Sequence, residues 1–305
     1  MKKILVVGSL NMDMVANVDH TPVVGETILT DKMTLIPGGK GANQAYAAGQ
    51  LGADVAMLGA VGKDTYADML LGSLNHAGVD TSAILHKDDA NTGIAMISVN
   101  SDGDNCIIVV SGANGRLSVA DIEQNLELLK NSDIIVLQLE IPLDTVVYTA
   151  KMAKEFGKMV ILDPAPVPNV FPEELYRYVD IIKPNETELS RLTGLSCSEE
   201  GIREGAAQLR EKGVKEVMVT LGEKGVFIDS EICGTHLIPA HKVEAVDTTA
   251  AGDTFTAALA LKIAEGTDIV QAAGFANTVS SIVVTREGAQ SSIPTLEEVE
   301  QILNQ

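Results

Sequence analysis

Tryptophan is absent from the 305 residues and aromatics make up only 3%, so any core must be built from Val, Ile, Leu, Ala and Met. Cysteine is equally scarce. Cys106, Cys197 and Cys233 lie far apart with no CxxC pair, which excludes a disulfide framework and suits reduced thiols in a cytoplasmic protein. Basic residues are few: 22 Lys and Arg against 42 Asp and Glu give a net charge of −20. That balance argues against nucleic acid or an anionic membrane as partner. It also means that an anionic ligand must be held by backbone dipoles and a bound cation rather than by a basic surface. No apolar run approaches the length of a membrane span. The start, Lys2-Lys3 followed by apolar residues 4–7, is too short for a signal peptide and is broken by Asn11 and Asp13, so it reads as a buried first strand. None of the five histidines sits at metal-ligand spacing, and neither a GxSxG elbow nor a GxxxxGK[ST] loop occurs.

What the chain has is 46% hydrophobic residues in a regular alternation. Apolar runs at 4–7, 56–59, 134–139, 159–162, 181–182 and 216–220 predict strands covered on both faces. Amphipathic stretches at 41–51, 66–77, 119–130, 145–156 and 198–212 predict helices between them. This is the pattern of a doubly wound α/β fold with a mostly parallel central sheet. Residues 12–19, 26–36, 92–100 and 105–110 instead alternate apolar with polar, and Ser101-Asp102-Gly103-Asp104 between the last two is a hairpin turn. They predict a small β lid (12–37 and 92–112) over a main domain of 1–11, 38–91 and 113–305. The alternative is a hairpin that extends the edge of the main sheet.

Several segments can carry chemistry. Asp247-Thr248-Thr249-Ala250-Ala251-Gly252-Asp253 precedes an apolar helix expected from about Thr256. Small residues let N–H groups crowd at a helix start, which binds anions. Asp253 adds a negative charge there, explicable if it faces a hydroxyl attacking a phosphorus held by those N–H groups; otherwise it stabilises the helix's first turn. Gly38-Gly39-Lys40-Gly41-Ala42-Asn43-Gln44 is either a close-approach loop offering donors or a glycine turn before a helix. Asn11 and Asp13 after the first strand can hold neighbouring hydroxyls or merely cap a strand end, and Glu140 is another hydroxyl acceptor or a surface charge. Asn185 and Glu188 can organise water around Mg²⁺ or form a helix capping box. Thr220-Leu221-Gly222 and Gly225 form a turn suited to a nucleotide.

Taken in order over nearly the whole chain, these segments resemble the phosphofructokinase-B type carbohydrate kinase family. The resemblance implies an ATP-dependent phosphotransferase in which Asp253 takes the proton from a sugar's primary hydroxyl, D-ribose being the expected sugar. It implies an anion hole from Ala250, Ala251 and Gly252. It implies a sugar site from Asn11, Asp13, Gly39, Lys40, Asn43, Glu140 and Asp253. ATP is expected at Asn185, Thr220, Gly222, Gly225, Gly252 and Asn277, with Mg²⁺ associated with Glu188. A monovalent cation, K⁺, is expected at Asp247, Thr249, Val283, Arg286, Gly288 and Ser292, several through carbonyls, and a homodimer is expected through the lid. Asp163 stands where Asn is frequent before Pro-Ala-Pro, Thr256 where Asn often follows Thr-Phe, and Asn277 where histidine sometimes occurs. Lys32 and Lys40 are the only cations in 11–43, and 92–115 before Arg116 has none, which favours an uncharged sugar over a sugar phosphate. Deoxyribose, another pentose or hexose, or a nucleoside remain as substrates. A non-catalytic sugar-binding regulator on the same scaffold is the reading from another class.

Overall fold

A computed structural model describes residues 2–303. The chain opens with β1 (Ile4–Val7), β2 (Asn11–Asn17), β3 (Met33–Gly38), α1 (Lys40–Gln50), β4 (Val55–Leu58) and β5 (Ala60–Val61). It continues through α2 (Thr65–His76), β6 (Leu85–His86), β7 (Gly93–Val99), β8 (Asn105–Val110), α3 (Val119–Gln124) and α4 (Leu126–Lys130). Next come β9 (Ile134–Leu137), α5 (Leu143–Glu155), β10 (Met159–Leu162), β11 (Ile181–Ile182), α6 (Glu186–Thr193) and α7 (Glu199–Glu211). The last elements are β12 (Glu216–Thr220), β13 (Val226–Ser230), β14 (Gly234–Ile238), α8 (Ala251–Ala264), α9 (Ile269–Val283) and α10 (Leu296–Leu303).

Eight strands form the main sheet in the order β14-β13-β12-β11-β10-β9-β1-β4. The six from β12 to β4 run parallel, and β13 and β14 add an antiparallel edge. The continuous apolar runs explain this. Successive side chains of a strand point to opposite faces, so Ile4 and Val6 enter one core with α1, α2, α8 and α9, while Leu5 and Val7 enter the other with α5, α6 and α7. Each fully buried Val, Leu or Ile contributes about 1.5–3 kcal/mol, and a strand with two apolar faces is stable only between two helical layers.

The four alternating segments make a separate sheet, β3-β2-β7-β8, rather than an extension of the main one. The expected strand at 26–36 begins only at Met33: Leu29 is exposed, and period-two sequence without a partner strand is not a strand. The hairpin turn holds as expected, with Asn100 Oδ1 accepting from the N–H groups of Asp102 and Asp104 and Gly103 at φ 86°. The expected helix 119–130 is divided at Asn125. Along β8 every residue is exposed, including Ile107, Ile108, Val109 and Val110. Among the described residues no helix is long and apolar enough to cross a membrane.

Candidate active site

The carboxyl ends of parallel strands are where an open α/β sheet leaves space for ligands. Here the chain leaving β1 carries Ser9 and Asn11, that leaving β9 carries Gln138 and Glu140, that leaving β10 carries Asp163, and that leaving β11 carries Lys183 and Asn185. Two helix starts, those of α1 and α8, come to the same edge.

Helix α8 begins at Ala251, five residues earlier than the expected Thr256, so Asp253 lies in its first turn. Its N-cap, Ala250, has no capping side chain and sits at φ 60°, the one non-glycine residue with positive φ among the described residues. Such a conformation costs a non-glycine residue about 1 kcal/mol and is kept where the surroundings enforce it. The N–H groups of Ala250, Gly252 and Asp253 meet no protein acceptor among the described residues, while that of Ala251 faces Thr248 O at 3.3 Å.

Asp253 is 7% exposed. Its Oδ2 accepts from Asn43 Nδ2 at 3.1 Å and its Oδ1 from Gln44 Nε2 at 3.0 Å. Burial pushes its carboxyl up to about 6, against the pull of the Lys40 ammonium; Asp163 adds to the rise, and Lys183 and Asn43 oppose it. Gln44 also donates to Asp163 Oδ2 at 3.0 Å, which takes Lys183 Nζ at 2.9 Å. Lys183 Nζ reaches Gly252 O at 3.1 Å. Both members of this ion pair are buried, a placement tolerable only when each charge has its partner.

The glycine loop earns its composition at two places. A Cβ on Gly41 would stand 2.6–2.8 Å from the backbone of Gly8 and Ser9, so only glycine lets α1 approach the end of β1. A Cβ on Gly38 would collide with the Asp13 carboxylate. Asp13 on β2 is pushed up to about 7 by burial, then by the charges of Glu140 and Asp253. Lys40 opens α1; burial opposes its charge, but Asp253, Asp163, Glu140 and Glu188 outweigh burial and raise its pKa. Glu140 Oε2 accepts from Ser9 Oγ at 2.6 Å and from the Lys40 N–H at 3.2 Å, a carboxylate at the positive end of α1. Asn11 is fixed by Asn114, whose Nδ2 donates to Asn11 Oδ1 at 2.8 Å and which also bonds Leu10 N and O. Asn11, Asp13, Gly39, Lys40, Asn43, Glu140 and Asp253 are thereby brought to one place.

The remaining expected residues lie further along the same edge. Asn185 and Glu188 form a capping box on α6, each side chain accepting from the other's N–H at 2.8 Å, and burial raises the Glu188 carboxyl with Asp163 adding to it. Thr220 ends β12 beside Asn185, and Gly222 follows it at φ 56°. At Gly225 a Cβ would strike Ile238 O, so packing alone requires glycine there. Asn277 holds the chain after β14 through Pro239 O at 2.8 Å. Asp247 accepts from Thr249 N and Oγ1 and from Gly288 N at 2.9 Å, which joins 247–249 to the segment after α9. The Arg286 guanidinium turns away to Glu298 at 3.0 Å, and Ser292 Oγ bonds Ala289 O; only backbone oxygen of Arg286 suits a cation. Among the described residues no cluster of His, Cys, Asp and Glu is disposed to hold a metal by itself.

Sequence reasoning missed Gln44, Asn114, Gln138, Asp163 and Lys183 as parts of this site. Gln44 stood inside a motif read only for its glycines, Lys40 and Asn43, and Asp163 was legible as a carboxylate just past an apolar strand. Lys183 directly follows a two-residue strand in the same way. Nothing local marks Asn114 or Gln138.

The family profile described as pfkB family carbohydrate kinase matches residues 1–296. A ribokinase of Bacillus subtilis (strain 168) is 40% identical over 304 residues, covering 100% of both chains. A deoxyribokinase of Salmonella typhi is 37% identical over 302 residues, 99% of this chain and 98% of the other. Among solved structures, Arabidopsis thaliana ribokinase complexed with ribose and ATP superposes with a TM-score of 0.93 at 35% identity, over 100% of this chain and 99% of that one. Whole-chain identity of this order, on top of the shared architecture, leaves one conclusion: the chain belongs to the pfkB family of carbohydrate kinases.

Proposed function

We propose that the chain transfers the γ-phosphoryl group of ATP to the primary hydroxyl of D-ribose, giving ribose 5-phosphate. The observation that carries this reading is the Asp253 carboxylate, buried and doubly held, in the first turn of a helix where the N–H groups of Ala250, Gly252 and Asp253 meet no acceptor among the described residues. A base with a pKa near 6 is ionised at neutral pH yet close enough to it to accept a proton usefully. Asp253 orients the sugar hydroxyl and takes its proton as the oxygen attacks phosphorus. The N–H groups of residues 250–252 and the α8 dipole receive the charge on the transferring group; Ala251 then gives up its weak bond to Thr248. Asn11, Asp13, Gly39, Lys40, Asn43 and Glu140 hold the other hydroxyls, and ATP lies along Asn185, Thr220, Gly222, Gly225, Gly252 and Asn277.

Mg²⁺ would enter with the phosphates, reached from Glu188 through water, and would neutralise phosphate charge. K⁺ suits the oxygen-only set of Asp247, Thr249, Val283, Arg286, Gly288 and Ser292; the Gly288–Asp247 bond, which joins two of the segments that carry these residues, supports this reading. The small four-stranded sheet serves as a lid, and the apolar residues exposed on β8 (Ile107 to Val110) supply the surface through which two copies pair in the cytoplasm.

The similar deoxyribokinase makes 2-deoxyribose the second substrate to weigh. A panel of pentoses, hexoses and nucleosides in a coupled ADP-release assay tests the proposal. Ribose should give the highest kcat/KM. Higher kcat/KM with deoxyribose would reassign the sugar, and sugar binding without ADP release would make the chain a non-catalytic regulator.

A further inference from the structure

Gln44 is fully buried on α1, and its amino group is shared between two carboxylates, Asp253 Oδ1 and Asp163 Oδ2, at 3.0 Å each. Its carbonyl oxygen is occupied by Gln138 Nε2 at 2.6 Å. Gln138 is itself fully buried, and its own Oε1 has no partner among the described residues; it occupies space that a Cβ on Gly8 would fill. A leucine there would remove the unpaired Oε1 but would leave the buried Gln44 Oε1 without its donor. Retaining a half-satisfied carboxamide in a core position points to the use of its other half, the N–H that pins Gln44. Asp163 passes the connection on to Lys183, and Lys183 to Gly252 O. Because Gly252 and Asp253 share one helical turn, the bonds close into a ring that begins and ends on α8.

We propose that Gln44 is a positioning residue for the base: held by Gln138, it ties Asp253 to the Asp163–Lys183 ion pair, aims the carboxylate and favours its ionised form. The proposal rests on the reading of Asp253 as base and extends it to residues that touch neither sugar nor phosphate. The charged groups facing Asp253 are Lys40 from α1, Asp163 after β10, Lys183 after β11 and Asp13 from β2. Each ring member therefore acts on Asp253 with a definite sign. Gln44 donates to the carboxylate and lowers its pKa, whereas the Asp163 charge raises it.

The test is the pH dependence of kcat at saturating ribose and Mg-ATP, a condition that reports groups in the ternary complex. In Gln44→Met the acid limb should move up by about one pH unit, the value of one hydrogen bond to a charged group. In Asp163→Asn it should move down by about half a unit, through loss of a neighbouring like charge. The ribose KM should change less than about twofold in both, because neither side chain reaches the sugar. Loss of packing alone would lower the active fraction and leave both limbs in place. Should Gln44→Met fail to fold, Gln138→Leu, which removes the donor that holds Gln44, should move the acid limb the same way by a smaller amount. Limbs that coincide with the wild type while Asp253→Asn is inactive overturn this proposal alone. Turnover retained in Asp253→Asn overturns the base assignment and the proposal with it.

Discussion

Asn43 Nδ2 stands 3.1 Å from Asp253 Oδ2, across 210 residues of chain. The bond joins the first turn of α1 to the first turn of α8, and those two helices lie side by side in one core. Asn43 is in turn approached by Gln290 Nε2 at 3.3 Å, whose Oε1 accepts from Ser73. The Asp253 carboxylate is thus held from both sides by carboxamides, neutral donors that fix its direction without cancelling its charge.

Replacing that carboxylate isosterically should separate binding from chemistry. Asp253→Asn should bind ribose within a few-fold of wild type by calorimetry. Its kcat should fall by about 10²–10⁴, the usual worth of a positioned general base. A kcat within about threefold of wild type would remove Asp253 from the mechanism.

Asp13 makes a prediction about stability as well as binding. Its folded-state pKa of about 7 lies above the value of 3.8 in a free chain. A carboxylate raised in this way holds its proton longer in the folded state, so it destabilises the fold progressively as pH climbs from about 4 to 7. Asp13→Asn should therefore raise stability at pH 8 by about 1–3 kcal/mol, or roughly 2–4 °C in Tm per kcal/mol, and leave Tm at pH 4 unchanged. The same variant should lose affinity for ribose, since it no longer offers a charged acceptor. Equal Tm for the two proteins at pH 8 would contradict the cause assigned to the shift.

The two-layer core was legible because strands buried on both faces read as unbroken apolar runs, as at Ile4–Val7 and Ile134–Leu137. The site's outer contacts were legible where chemistry and backbone demand share a motif: Gly38 and Gly41 mark close approaches, and Asp253 marks a charge in an unexpected place. Gln138 was illegible. It directly follows an ordinary strand, and its significance lies in Gln44, 94 residues away, a distance over which local pattern carries no information. The period-two stretch at 26–32 misled because alternation describes a strand only when a neighbour supplies the ladder.

Gly41→Ala tests the close approach directly. The added methyl meets the backbone of Gly8 and Ser9 rather than a side chain that can swing aside, so α1 must shift. The expected cost is about 3 kcal/mol, the upper end for overpacking, or about 6 °C or more in Tm. Activity should fall too, because Asn43 and Gln44 ride on the same helix. Unchanged Tm and kcat would refute the steric argument.

Ala250→Gly runs the other way. Glycine adopts φ 60° without the Cβ penalty that alanine bears. The variant should gain up to about 1 kcal/mol relative to wild type, partly offset by the entropy of a freer unfolded chain. Thermal melts resolve this difference, and a loss of more than about 1 kcal/mol would mean that the Ala250 methyl is held by packing rather than tolerated under strain.

The oxygens proposed for K⁺ would link a remote bond to turnover. The Gly288 N–H donates to Asp247 Oδ2, and Asp247 Oδ1 holds Thr249, one residue before the strained Ala250. A cation seated among the oxygens of these segments would fix the approach to α8 and so the N–H groups that face phosphate. Tetramethylammonium matches K⁺ in charge but cannot enter an oxygen cage of that size. Substituting it at constant ionic strength should lower kcat at least about tenfold, equivalent to about 1.4 kcal/mol of barrier. The ribose KM should move little, since Asn11, Asp13 and Asn43 lie on other elements. Titrating K⁺ back should restore kcat along a saturable curve, and Asp247→Asn should shift that curve to higher K⁺. Full turnover without any alkali cation would dissociate this loop from catalysis.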